Sequence, residues 1–250
     1  MARNFLTGEE LSADELAGLL ERARELKAGR PAAGADALAG RSVALVFERP
    51  STRTRISFEV GVAELGGTPI VLRGDELQLT RGESIGDTGR VLSRYVHAIA
   101  IRSGSHDAVA ELAEAAGVPV VNALTPAHHP CQALADLMTL RERFGSLDGL
   151  RLAYVGDGNN VARSLAILGA AAGVDVVVAS PAGYELEDAH GADLVADPAE
   201  AVAGADAVYT DVWVSMGDET EAAARRQALG PYRLDAELMG KASDGAVALH

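Results

Sequence analysis

The chain has 250 residues, 48 % of them hydrophobic, and its 36 acidic and 22 basic side chains leave a formal net charge of -14. That length and composition suit one large or two ordinary globular domains with a substantial core, and the acidic balance excludes a nucleic-acid partner, whose phosphates most of this surface would repel. No apolar run approaches the ~18 residues of a membrane helix and no signal-like leader is present, so the expected setting is the cytoplasm, with no membrane partner. Cys131 is the only cysteine, which rules out an intramolecular disulfide and leaves a cysteine-based zinc site without ligands.

In chain order, Ser12 and Glu15 stand in capping-box spacing ahead of Leu16, Leu19, Leu20 and Leu26, which predicts a helix over 12–28. From residue 41 onward, apolar runs of strand length alternate with alanine-rich helical stretches. The predicted strands are 41–47, 69–72, 97–102, 118–122, 151–155, 174–179 and 207–210. This alternation predicts α/β architecture: two doubly wound parallel sheets with helices on both faces. In such folds ligands sit beyond the carboxyl ends of strands. The boundary is expected at "RFGSLDGL", residues 143–150, where Gly145 and Gly149 follow a long helix, giving domains 1–145 and 146–250.

The first predicted strand runs into "ERPSTRTRISF", residues 48–58. Pro50 removes a backbone donor and stops the strand, while Ser51, Thr52 and Thr54 favour helix starts. A helix N-terminus with free N–H groups, hydroxyls and the guanidiniums of Arg53 and Arg55 is suited to phosphate. The plainer reading is a solvated face, with Arg55 and Glu59 paired at i, i+4. It leaves Arg53 unexplained. Two unit charges ~4 Å apart at an effective dielectric of 20 interact by about 4 kcal/mol, so crowded arginines call for an anion.

Further along, Arg102 ends the strand 97–102. The loop "TPAHHPCQ" is stiffened by Pro126 and Pro130, with His129 and Gln132 on one side of the following helix start. Metal binding by His128 and His129 is disfavoured, because neighbouring residues point apart and no third ligand is evident. At "GDGNN", Gly156 and Gly158 resemble a dinucleotide turn, but Val161 occupies the third glycine position and the next strand ends in Ser180 instead of an acid. In "DVWVSMGDE", Asp211 and Ser215 offer acceptors for an ammonium group, and the backbone near Met216 could donate to a carboxylate.

"STRTR" before "ISFEV", then "HPCQALADL", "GNN" and "DVWVSMG" in this order resemble the aspartate and ornithine carbamoyltransferase family over essentially the entire chain. The Ser-Met-Gly element is similar to the ornithine branch. The resemblance implies a carbamoyl-phosphate-binding domain over 1–145 and an ornithine-binding domain over 146–250, with neither metal nor organic cofactor. It implies that Ser51, Thr52, Arg53, Thr54, Gln78, Arg102, His129 and Gln132 hold carbamoyl phosphate, with Gln78 completing the site of a neighbouring subunit in a homotrimer. Asn160, Asp211, Ser215 and Met216 would hold ornithine, and Arg53, Arg102, His129 and Asp211 would carry the catalysis. Arg55 and Cys131 are expected outside the contact set.

The implied reaction is carbamoyl transfer to the δ-amine of L-ornithine, giving L-citrulline and phosphate. The alternatives are another amine, putrescine or an N-acylated ornithine, or a module that binds carbamoyl phosphate without efficient turnover. The last residues, "ASDGAVALH", read as a turn followed by a strand that begins and then stops at His250. The last alternative arises because family members continue after "ALH" with a Cys-Leu-Pro stretch and a final helix, so the second domain is expected to be truncated at His250.

Overall fold

The computed structural model describes residues 3–74, 82–214 and 219–250. The chain divides into two compact units, residues 1–10 with 17–131 and residues 11–16 with 132–250. Helix α1 (Ala13–Ala28) opens with the expected capping box: Ser12 N–H donates to Glu15 at 2.9 Å and Glu15 N–H donates back to the Ser12 hydroxyl.

The first unit contains β1 (Ser42–Phe47), α2 (Arg53–Glu64), β2 (Thr68–Arg73), α3 (Ile85–Leu92), β3 (Ala98–Arg102), α4 (His106–Ala115) and β4 (Val120–Leu124). Its four strands are all parallel in the order β2-β1-β3-β4. The central strand β1 is buried from Val43 to Phe47, as a continuous apolar run covered on both faces must be. One face packs Ala44, Val46, Ile99 and Ile101 against Val109 and Leu112 of α4; the other packs Val43, Leu45 and Phe47 against Val62 of α2.

Helix α5 (Pro130–Phe144) is followed by the second unit's sheet: β5 (Arg151–Val155), α6 (Asn160–Ala171), β6 (Asp175–Ala179), β7 (Asp193–Val195), α7 (Pro198–Val202), β8 (Ala207–Tyr209), α8 (Ala222–Leu229), α9 (Ala236–Met239) and β9 (Val247–Leu249). The strand order is β7-β6-β5-β8-β9, again wholly parallel. Helix α6 is buried along most of its length. Both sheets agree with the expected two-sheet α/β class. The strand without a predicted counterpart is β7, which is short and carries a half-exposed Leu194, whereas β9 lies where a strand is expected to begin after the turn in "ASDGAVALH".

Candidate active site

In the first unit the loop after β1 turns into α2 at Thr52. The Thr52 side chain makes no capping hydrogen bond, and no acidic residue stands in the first helical turn. The positive end of the helix is therefore not neutralised by the chain's own carboxylates there, which is the condition an external anion needs. The Glu48 carboxylate instead accepts from the Ser103 hydroxyl at 2.6 Å and from Gly104 N–H at 3.0 Å, tying this loop to the end of β3.

Strand β3 shifts register against β4 between Ile101 and Arg102, and an irregularity of this kind re-aims the side chain that follows it. Arg102 is partly buried and donates from Nη1 to the Ser51 hydroxyl at 3.2 Å. Its Nε–H is buried with no hydrogen-bond partner among the described residues. Burial, and then the charge of Arg49, pull the Arg102 pKa below its ordinary value. A guanidinium in that state is poorly served by the protein alone, and a ligand anion would relieve it.

His129 is held by a rigid loop. Thr125 N–H donates to the His128 carbonyl at 2.9 Å, and His128 N–H donates to the Thr125 hydroxyl at 3.1 Å. Pro130 then opens α5, where its missing N–H costs nothing. Burial and the nearby Arg102 charge push the His129 pKa down to about 4, so the imidazole is neutral at neutral pH and donates through a single N–H. The Cys131 thiol donates to the Asn122 carbonyl at 3.4 Å, and burial pushes its pKa up to about 12.

Ser51, Arg102 and His129 are thus brought together, whereas Thr52 and Arg53 are exposed and Thr54 is half-buried. A cavity of about 430 Å³ lies beside Ser51 and Thr52, lined also by Glu48, Arg49, Arg55 and Arg73 among others, but not by Arg102 or His129. Arg55, expected outside the contact set, lines this cavity; Arg53 does not. Gln78 lies outside the described residues.

In the second unit the carboxyl ends of β5 and β8 carry a connected polar cluster. Asn159 caps α6, its Oδ1 accepting from the N–H groups of Val161 and Ala162 and from the Tyr154 hydroxyl, while its Nδ2 donates to Asp211 at 3.0 Å. Asn160, the residue expected to contact the amino acid, is half-buried as the first residue of α6, and its carbonyl accepts from Ser164. The Gln132 amide donates to Asp136 at 2.9 Å. Burial raises the Asp136 carboxyl to about 6, opposed by the Gln132 amide and the Tyr209 hydroxyl and reinforced by the charge of Asp211. Ser215 and Met216 lie outside the described residues.

Sequence reasoning missed Asn159, Asp136 and Tyr209. The i, i+4 spacing of Gln132 and Asp136 on a helix was the available signal for one of them. Gly158 also has a local explanation: a Cβ there would meet Leu186 N at 2.3 Å, so the glycine admits the chain's own Glu185–Leu186 backbone. That close approach accounts for the glycine without a dinucleotide.

Residues 3–142 match the family described as aspartate/ornithine carbamoyltransferase, carbamoyl-P binding domain, and residues 148–250 match its Asp/Orn binding domain. An ornithine carbamoyltransferase of Acidothermus cellulolyticus is 54 % identical over 267 aligned positions, which cover 100 % of this chain and 84 % of that protein. Among solved structures, the ornithine carbamoyltransferase from Pyrococcus furiosus is 44 % identical with a TM-score of 0.92, covering 100 % of this chain and 84 % of that one. The enzyme from Thermus thermophilus is 40 % identical with a TM-score of 0.92, covering 100 % and 85 %. With both halves matched in order and identities this high, the chain belongs to the aspartate/ornithine carbamoyltransferase family.

Proposed function

We propose that this protein transfers the carbamoyl group of carbamoyl phosphate to the δ-amine of L-ornithine, giving L-citrulline and phosphate. The observation that carries the reading is the partly buried Arg102, bonded to Ser51, close to a neutral His129, and with an Nε–H lacking a partner among the described residues. The names of the relatives favour ornithine over putrescine, an N-acylated ornithine or a binding module.

In this reading Ser51, Thr52, Arg53 and Thr54 surround the phosphate at the start of α2, joined by Gln78 of a neighbouring subunit. Arg102 and His129 donate to the carbamoyl carbonyl oxygen, where negative charge grows as the amine attacks. Gln132 has one N–H engaged by Asp136, so its carbonyl oxygen is suited to receive the carbamoyl NH2. Asn160, Asp211, Ser215 and Met216 hold ornithine. An amine with a pKa near ~10.4 is almost wholly protonated at neutral pH, so the acidic pair Asp211 and Asp136 first receives it as a cation and the reaction proceeds from the neutral form. The amine lone pair forms the new C–N bond, the carbon–oxygen bond to phosphate breaks, and phosphate leaves with that electron pair and takes up the proton that the amine nitrogen loses.

The same reading places the protein in arginine biosynthesis in the cytoplasm, as a homotrimer. No helix among the described residues is long and apolar enough to cross a membrane. Ile56 and Val60, 49 % and 40 % exposed and one helical turn apart on α2, form an apolar stripe that supports self-association. The test is citrulline formation from carbamoyl phosphate and ornithine, with putrescine, N-acetylornithine and aspartate in parallel. Turnover with ornithine is expected; turnover only with another amine would overturn the assignment.

A further inference from the structure

Arg225 of α8 is 8 % exposed, although it lies on a short helix whose neighbouring positions are largely exposed. Its guanidinium is engaged on several sides. Nη2 donates to the Asp157 carboxylate at the end of β5, Nε donates to the Trp213 carbonyl at 2.7 Å, and Cζ lies 5.0 Å from the centre of the Tyr184 ring. A buried ion pair is a poor device for stability alone, since apolar side chains of similar volume serve as well. What arginine supplies is a rigid planar fork that fixes a carbonyl and a carboxylate relative to each other.

Both fixed points matter. Asp157 belongs to the β5–α6 turn, which also supplies Asn159, the donor to Asp211. Trp213 lies two residues after Asp211. The stretch 211–213 is therefore joined to that turn twice, through Asn159 at one end and Arg225 at the other.

We propose that Arg225 is a positioning residue for the acceptor amino acid: through the Trp213 carbonyl and Asp157 it holds the stretch after β8 where Asp211 can receive the amine. The inference rests on the reading that this stretch binds ornithine. It concerns geometry set from outside the contact set, so its effect belongs in acceptor binding and not in the carbamoyl-phosphate site.

The test is the Arg225→Lys variant, with Asp157→Asn as a second. Lysine keeps the charge but gathers its donors on one nitrogen, without the rigid fork whose separate Nε and Nη2 reach the two partners. Loss of one charge-assisted bond is expected to raise KM for ornithine by about tenfold or more, with KM for carbamoyl phosphate unchanged. Trp213 is the only tryptophan, so its fluorescence should shift to the red in both variants. Unchanged ornithine KM and unchanged emission would overturn the proposal. Equal increases in both KM values would also overturn it, because they indicate general loosening. If Arg225→Lys fails to fold, Asp157→Asn decides by the same criteria. Should the unaltered protein use a different amine, the proposed function fails, and the KM of that amine in the variants still tests the role of Arg225.

Discussion

Two buried titratable side chains move in opposite directions, and their opposition is measurable. Asp136 binds its proton more tightly in the folded protein, with a pKa raised by burial from about 3.9 to about 6. Between those values the native state holds a proton that the unfolded chain has released, so this group's contribution to stability falls as pH rises. His129 is lowered from about 6.5 to about 4. There the unfolded chain holds the extra proton, and stability rises with pH over nearly the same window. Asp136→Asn keeps an acceptor for Gln132 and removes the falling contribution. Its melting temperature relative to the parent protein should be near zero difference at pH 4, grow to a clear gain by pH 6 and stay constant above. A difference that is flat across that range would contradict the assignment of a neutral Asp136 below pH 6.

At the level of elements, the β5–α6 turn shows how a motif can be legible while its purpose is not. The sequence makes a tight strand-to-helix turn evident at Gly156 and Gly158. Only the structure reveals that the space beside Gly158 is filled by the backbone of Glu185 and Leu186. Gly158→Ala places a methyl group against main chain that cannot rotate away, so a loss of about 1–3 kcal/mol or more is expected in chemical denaturation. An alanine variant of unchanged midpoint would show that the turn yields. Alternation of apolar runs was enough to predict seven strands and their parallel sense. Strand β7 escaped because Asp193 and Leu194 are exposed and leave no apolar run. Candidate site residues followed the same divide. Arg102 and His129 could be placed because each sits at a strand end or helix start, whereas the choice between Arg53 and Arg55 as cavity lining depends on helical phase at α2, which the run "STRTR" does not encode.

For the molecule as a whole, charge is distributed against the average. A chain of net charge -14 gathers Arg49, Arg55, Arg73 and Arg102 around one loop, and burial with mutual repulsion disfavours the charged form of Arg102. Natural chains accept such local costs where function requires them. The acidic cluster of Asp136 and Asp211 in the second unit has the opposite sign, as a cationic acceptor needs. In the proposed function the two substrates, one anionic and one carrying an ammonium group, meet two clusters of complementary charge.

The most direct check on the anion site is calorimetric titration of carbamoyl phosphate into the protein and into Arg102→Met, at neutral pH without ornithine. Arg102 makes no ion pair among the described residues, so the variant should fold. Binding should be readily detected in the parent protein and weakened by about 2 kcal/mol or more, roughly thirtyfold, in the variant. Equal affinity in the two proteins, or no binding to either, would contradict the carbamoyl-phosphate site at Ser51, Arg102 and His129.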